Sequence, residues 1–276
     1  MQLFFDSGAT KCDCILLDEE GRYVSHISDR GINASYMADA EMAAIFRRMR
    51  ADIPMSGSFS RITFSGAGCG NPANAERVRN AMKDCFQSDI IDVVSDLMGA
   101  CRLLCAGKKG IVAILGTGAS ACSYDGHEIV CQAPSLGYML GDEGSGSYLG
   151  KLLMQSYLKN QIPDDVRLKL EQHFQLTPAK VLQHVYREAS PNLFFASFAV
   201  YLHENKAVPF YANLLTNAFH HFFQQQIDVL QPLLSDQLFL MGSVGYYFQQ
   251  EIAEVAAQHH FKLTQAVASP LSLLTC

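Results

Sequence analysis

Residues 111–120 read IVAILGTGAS, an apolar run that ends in Gly116-Thr117-Gly118. A buried strand entering a glycine turn is compatible with plain hairpin chemistry. It is also a phosphate-sized loop, because glycine lets backbone amides approach phosphate oxygens and a threonine hydroxyl adds a donor. A related stretch opens the chain at residues 3–10, LFFDSGAT, where an apolar strand again meets small residues and a threonine. Either turn alone is weak. Placed at the head of each half of the chain, the pair points to a duplicated nucleotide-binding core.

The elements predicted around the two turns follow one order. In the first half, alternation and turn residues predict strands at Gln2–Phe5, Asp13–Leu17 and Tyr23–Ile27. A helix over Ala38–Arg50, a strand at Arg61–Ser65, a helix at Ala73–Cys85, a strand at Ile90–Val94 and a helix at Asp96–Cys105 complete it. The second half restarts with strands at Ile111–Leu115, Ala119–Tyr124 and His127–Cys131, then a helix at Gly146–Tyr157. A long helical stretch runs to Leu230, with Pro163, Pro178, Pro191 and Pro209 near helix starts. A strand at Gln237–Leu240, a helix at Gly245–Gln258 and a strand at Phe261–Thr264 close the pattern. The expected fold is α/β: two domains, 1–107 and 108–276, each a mixed β-sheet flanked by helices, with a helical insertion in the second.

With 276 residues and 49% hydrophobic content, the chain is long enough to bury a sizeable core. A net charge of −6 argues against non-specific nucleic-acid binding, which needs an excess of Lys and Arg. No stretch reaches the ~18 apolar residues of a membrane span. Met1 runs directly into a strand carrying Asp6, so no leader is expected. Nine scattered cysteines fit reduced thiols and a cytoplasmic location better than a disulfide framework.

Four further features carry chemistry. Asp6 stands at a strand end, where a carboxylate can hold Mg²⁺ through water. Residues 136–150, LGYMLGDEGSGSYLG, read either as a helix capped by Asp142 or Ser145 or as a ligand loop. The cap leaves Gly137, Gly141, Gly144 and Gly146 unexplained, which favours the ligand loop. Asp96 lies where a strand becomes a helix, and on position alone it reads as an N-cap. Leu240–Val244 enters a helix through Gly242-Ser243, a design that holds ligands at helix N-termini.

In the order Asp6-x-Gly8-x-Thr10, Asp96, Gly116–Gly118, GDEGSG at 141–146 and Gly242–Val244, the chain resembles the N-acetylglucosamine kinase-like branch of the BadF/BadG-type ATPases. That branch lies within the sugar kinase/Hsp70/actin superfamily. The resemblance implies two ribonuclease H-like (actin-like ATPase) domains and ATP-dependent phosphorylation of the 6-hydroxyl of an amino sugar, with N-acetylglucosamine the favoured acceptor. It implies ATP and Mg²⁺ as cofactors. Asp6, Gly8, Thr10 and Lys11 would form the first phosphate loop, with Asp6 ordering Mg²⁺, and Gly116, Thr117 and Gly118 the second. Asp96 would be the general base on the sugar hydroxyl. Asn33 and Asp142 would bond sugar hydroxyls, with Thr117 and Gly137 near the acetamido group, and Gly242 and Ser243 would lie against the adenosine.

The chain departs from that pattern at Ser7 and Ala9, where glycines are common, at Ala119 before Ser120, and at a short carboxyl end without the usual returning helix. Two other readings stand beside the kinase. One is an activator ATPase serving an iron–sulfur dehydratase or reductase, for which Cys69 is the candidate loop thiol. The other is a non-catalytic sugar sensor, although a strand starting at residue 2 leaves no room ahead of it for a DNA-binding segment. No second Cys or His pair follows Cys12/Cys14 at metal-ligand spacing, His220/His221 and His259/His260 lie on helical or strand-edge polar stretches, and Cys101/Cys105 read as core. Aromatics over 194–201 and 219–223 read as helix packing or a homodimer face.

Overall fold

The structure is a computed structural model that describes residues 1–8, 10–55 and 57–274. The chain divides into two compact units, Met1–Ala106 with Ser269–Cys276, and Gly107–Ala268. Sequence reading placed the whole carboxyl end in the second domain without a returning helix. The structure corrects both points: Ser269–Cys276 groups with the first unit, and Pro270–Leu274 is helical.

The first unit is built from β1 (Gln2–Ser7), β2 (Lys11–Leu17), β3 (Tyr23–Arg30), α1 (Asp39–Asp52), β4 (Arg61–Gly66), α2 (Pro72–Lys83), β5 (Ile91–Ser95) and α3 (Asp96–Cys105). In α1, Met42, Ile45, Phe46 and Met49 bury one face, while Asp39 and Glu41 in the first turn and Arg50 in the last suit the helix dipole. Pro72 opens α2, and the Asn71 side chain accepts the Ala73 amide. Phe5, Phe46, Phe64 and Phe86 meet at centroid spacings of 5.5–6.2 Å and fill the space between sheet and helices.

The second unit begins with β6 (Gly110–Leu115), β7 (Ala119–Tyr124) and β8 (Ile129–Gln132). The last strand starts two residues later than predicted, because the Asp125 carboxylate accepts the His127 and Glu128 amides and holds them in a turn. The helical stretch comprises α4 (Gly137–Leu140), α5 (Gly146–Leu158), α6 (Asp164–Phe174), α7 (Pro178–Arg187), α8 (Pro191–Ala196), α9 (Phe198–Glu204) and α10 (Pro209–Phe222). Phe223–Ile227 continues α10 as a π-helix. The chain then forms β9 (Gln237–Met241), α11 (Ser243–Tyr247), α12 (Gln249–Gln258) and β10 (Lys262–Val267). The single predicted helix over 245–258 is thus two, parted at Phe248, a buried ring in a non-helical conformation.

The sheets share one topology. The first runs β3-β2-β1-β4-β5 and the second β8-β7-β6-β9-β10. In each, the opening strand is central: on one side it continues into an antiparallel meander of two strands, and on the other lie two strands parallel to it. This is the duplication that the two glycine turns predicted, and both units have the expected mixed α/β architecture. Because β1, β4 and β5 are parallel, the turns after Ser7, Gly66 and Ser95 leave one edge of the first sheet. The turns after Leu115, Met241 and Val267 leave the matching edge of the second. Carboxyl ends of parallel strands are where open α/β sheets bind ligands.

Candidate active site

At that edge of the first unit, Asp6 and Asp96 come within electrostatic range of each other. Asp6 is the penultimate residue of β1, and the cross-strand register sets Asp13 directly opposite it. Burial, then Asp96 and Asp13, raise the Asp6 carboxyl from its ordinary 3.8 to about 7, against the opposing pull of Lys11. Lys11 Nζ sits 2.9 Å from Asp13, whose carboxylate also accepts the Ser28 hydroxyl. Asp96 opens α3, but Ser95 is the cap: its Oγ accepts the Met98 amide at 3.1 Å. Burial raises the Asp96 pKa, while the Leu97 amide, donating over 2.9 Å, draws it back.

The turn after β1 is tight, with the Gly8 amide donating to Lys11 O at 3.0 Å. Gly8, Thr10 and Lys11 are exposed around it, and Ala9 lies outside the described residues. Ser7, where a glycine is common, has a structural reason: its buried hydroxyl accepts the Ile32 amide at 2.7 Å and donates to Ile32 O at 3.1 Å. Those bonds tie β1 to the segment carrying Asn33. Asn33 Oδ1 turns the chain by accepting the Ser35 amide, and the Ala34 amide donates to Ala67 O in the turn after β4. Arg77 of α2 holds the same segment from behind, donating to Ala34 O and Met37 O at 2.7 Å each and pairing with Asp39.

In the second unit, three stretches predicted as ligand loops meet. The Gly146 and Ser147 amides, at the start of α5, donate to Gly116 O and Thr117 O at 2.8 and 3.1 Å. Asp142 reaches the same turn, its Oδ1 accepting the Ala119 amide at 3.2 Å. Gly242, at φ +109°, backs onto it, and a Cβ there would lie 2.4 Å from Leu115 O. Ser145, not Asp142, caps α5 through the Tyr148 amide. Asp142 itself has φ +59°, a strained left-handed backbone for a residue with a side chain. Burial raises its pKa against the Ala119 bond. Gly137 begins α4 and Ser243 begins α11, the latter exposed.

A solved structure of a candidate N-acetylglucosamine kinase from Porphyromonas gingivalis is 31% identical to the chain, covers 100% of it and 97% of its own length, and has a TM-score of 0.86. The chain belongs to the N-acetylglucosamine kinase-like family of actin-like ATPases. A candidate N-acetylglucosamine kinase from Chromobacterium violaceum shares the fold at 17% identity and a TM-score of 0.77, over 99% of this chain and 97% of that one. A ROK family glucokinase from Streptomyces griseus, solved with glucose and AMPPNP, shares it more distantly, at 14% identity and a TM-score of 0.56 over 99% and 97%. No family model and no curated protein matches the chain.

For a member of this family, the remaining sequence candidates separate cleanly. Cys69 is buried and its thiol is pushed up to about 12 by burial and by Asp96, which suits neither a thiolate ligand nor a nucleophile. His220 and His259 do meet, at 3.1 Å, and His259 also bonds Asp228, yet no group of three metal-ligating side chains assembles among the described residues. Among those residues no helix is long and apolar enough to cross a membrane. Sequence reasoning missed Asp13 and Arg77. Asp13 was legible in principle, since a hairpin closing at residues 7 and 12 must pair 6 with 13. Arg77 acts through contacts distant in sequence and left no local signal.

Proposed function

We propose that the protein is an ATP-dependent sugar kinase that phosphorylates the 6-hydroxyl of an amino sugar, with N-acetylglucosamine the favoured acceptor. The observation that carries this reading is the Asp6–Asp96 pair, two carboxylates with raised proton affinity at the carboxyl edge of one sheet. Phosphoryl transfer asks little covalent chemistry of a protein: it needs positioning, charge neutralisation and a base on the attacking hydroxyl. Asp96 is suited to be that base, because burial raises its affinity for the proton it takes from the sugar hydroxyl.

Asp6 is suited to Mg²⁺, a hard cation that keeps most of its waters and needs only one or two carboxylates. The unneutralised charge of Asp6 beside Asp13 and Asp96 fits such an ion, which when bound would screen the phosphate oxygens. Gly8, Thr10 and Lys11 would serve the first phosphate loop and Gly116, Thr117 and Gly118 the second, with Gly242 and Ser243 near the adenosine. Asn33 and Asp142 would bond the sugar hydroxyls, and Thr117 and Gly137 the acetamido side. On this reading the partners are ATP and a small sugar, in the cytoplasm, with no nucleic acid. The test is ADP release measured with a panel of hexoses and hexosamines, with the product identified by mass. Release stimulated by N-acetylglucosamine, giving the 6-phosphate, is the expected result; no stimulation by any sugar would end the proposal.

A further inference from the structure

The π-helix after α10 carries a polar contact that core packing does not require. Its sequence is FQQQI, and of the three glutamines Gln224 and Gln225 face solvent while Gln226 is 4% exposed. A buried amide needs a partner. Gln226 Nε2 finds one at 2.8 Å in Glu143 Oε2, the residue after the strained Asp142. Two contacts beside it join α10 to the turn and to α5. Phe222 lies against Gly144, where a Cβ would come within 2.7 Å of the Phe222 Cβ, and Tyr148 OH is 2.8 Å from His221 Nδ1. The Asp228 amide bonds Phe223 O, five residues back, so the helix widens within this segment. Such π-turns are rare and gather at functional sites.

We propose that Gln226 is a positioning residue: by holding Glu143 it fixes the 141–146 turn, and with it the Asp142 carboxylate, in the conformation that takes the amino sugar. This rests on the kinase reading above. The left-handed backbone at Asp142 persists only while its surroundings enforce it, and the Gln226–Glu143 bond adjoins it directly.

The test compares Gln226→Leu, Gln226→Glu and the exposed control Gln225→Leu with the parent, by kinetics and by hydrogen exchange of residues 141–147 without ligands. Gln226→Leu should raise KM for N-acetylglucosamine roughly 10–100-fold, the scale of a small misplacement in a site. KM for ATP should stay within about twofold, exchange over 141–147 should quicken, and Gln225→Leu should change nothing. Gln226→Glu sets two carboxylates side by side, which bond only when they share a proton. Its sugar KM relative to the parent should therefore recover as pH falls from 8 to 6. The groups that act electrostatically with Glu143, which are Asp142, Tyr148 and Lys151, are common to both proteins. Equal losses in sugar and ATP KM, or exchange over 141–147 unchanged in Gln226→Leu, would overturn the proposal. If the parent phosphorylates no sugar, the kinase reading fails, and the exchange experiment alone decides whether Gln226 holds the turn.

Discussion

Replacing Asp6 with Asn should stabilise the metal-free protein at pH 8, and by progressively less as pH falls. Burial, Asp96 and Asp13 together raise the Asp6 carboxyl from 3.8 to about 7 in the folded chain. Folding therefore takes up a proton between those pH values, and stability falls as pH rises through that window. Above it, both states are ionised and the whole cost is present. At 1.36 kcal/mol per pH unit the ceiling is about 4 kcal/mol, and screening should leave about 2 kcal/mol. Asparagine has the shape of the protonated acid and no charge, so the variant escapes the penalty. For a chain of this size, about 2 kcal/mol moves Tm by about 4–8 °C. Calorimetric scans of both proteins at pH 5, 6.5 and 8 in chelator would measure the widening gap, and Mg²⁺ should narrow it by stabilising only the parent. An Asn variant less stable than the parent at pH 8, or a pH dependence identical in the two proteins, refutes the reasoning.

Three other outcomes follow from the geometry. Asp96→Asn should lower kcat with N-acetylglucosamine by roughly 10²–10⁴, the usual contribution of a general base, with ATP affinity by calorimetry unchanged; a near-normal rate would remove Asp96 from that role. Gly242→Ala forces a side chain onto a φ of +109° and against Leu115 O, so KM for ATP should rise more than KM for sugar, with a stability loss of about 1–3 kcal/mol. Arg77→Ala frees the Ala34 and Met37 carbonyls, so sugar KM should rise with ATP KM constant, and Arg77→Lys should not restore it because one ammonium cannot copy the planar fork.

The order of strands and helices along the chain was legible because its causes are local. Apolar alternation, glycine turns and the spacing of Met42, Ile45, Phe46 and Met49 write strands and helices directly into the chain. What failed was of another kind. The carboxyl end grouped with the first unit because its tertiary contacts lie there, and no local pattern over 269–276 encodes a destination. The break at Phe248 escaped detection because the helical period continues across it while the buried ring takes a non-helical backbone. At the site, residue types named their own places, yet their supports did not. At both helix starts a serine makes the cap bond, Ser95 for α3 and Ser145 for α5, while Asp96 and Asp142 accept other amides.

The repeated topology allows a comparison that shows why only one of the two opening turns carries the charge. In the first unit the last cross-strand pair before the turn is Ser7 with Cys12, and the pair behind it is Asp6 with Asp13. In the second unit the last pair is Leu115 with Ala119, and behind it stand Ile114 and Ser120. Like charges directly opposite on a hairpin weaken it, and a fold that needed only the turn would choose the second solution. Lys11 answers Asp13 but leaves Asp6 with its pKa near 7, so the first hairpin remains short of positive charge at the edge where Asp96 also stands. The second hairpin has no facing charges; the first amides of α5 take its carbonyls, and the Asp142 carboxylate accepts its Ala119 amide. The first hairpin thus holds a like-charge contact that a cation or a proton would relieve, whereas the second unit carries its strain in the left-handed backbone of Asp142.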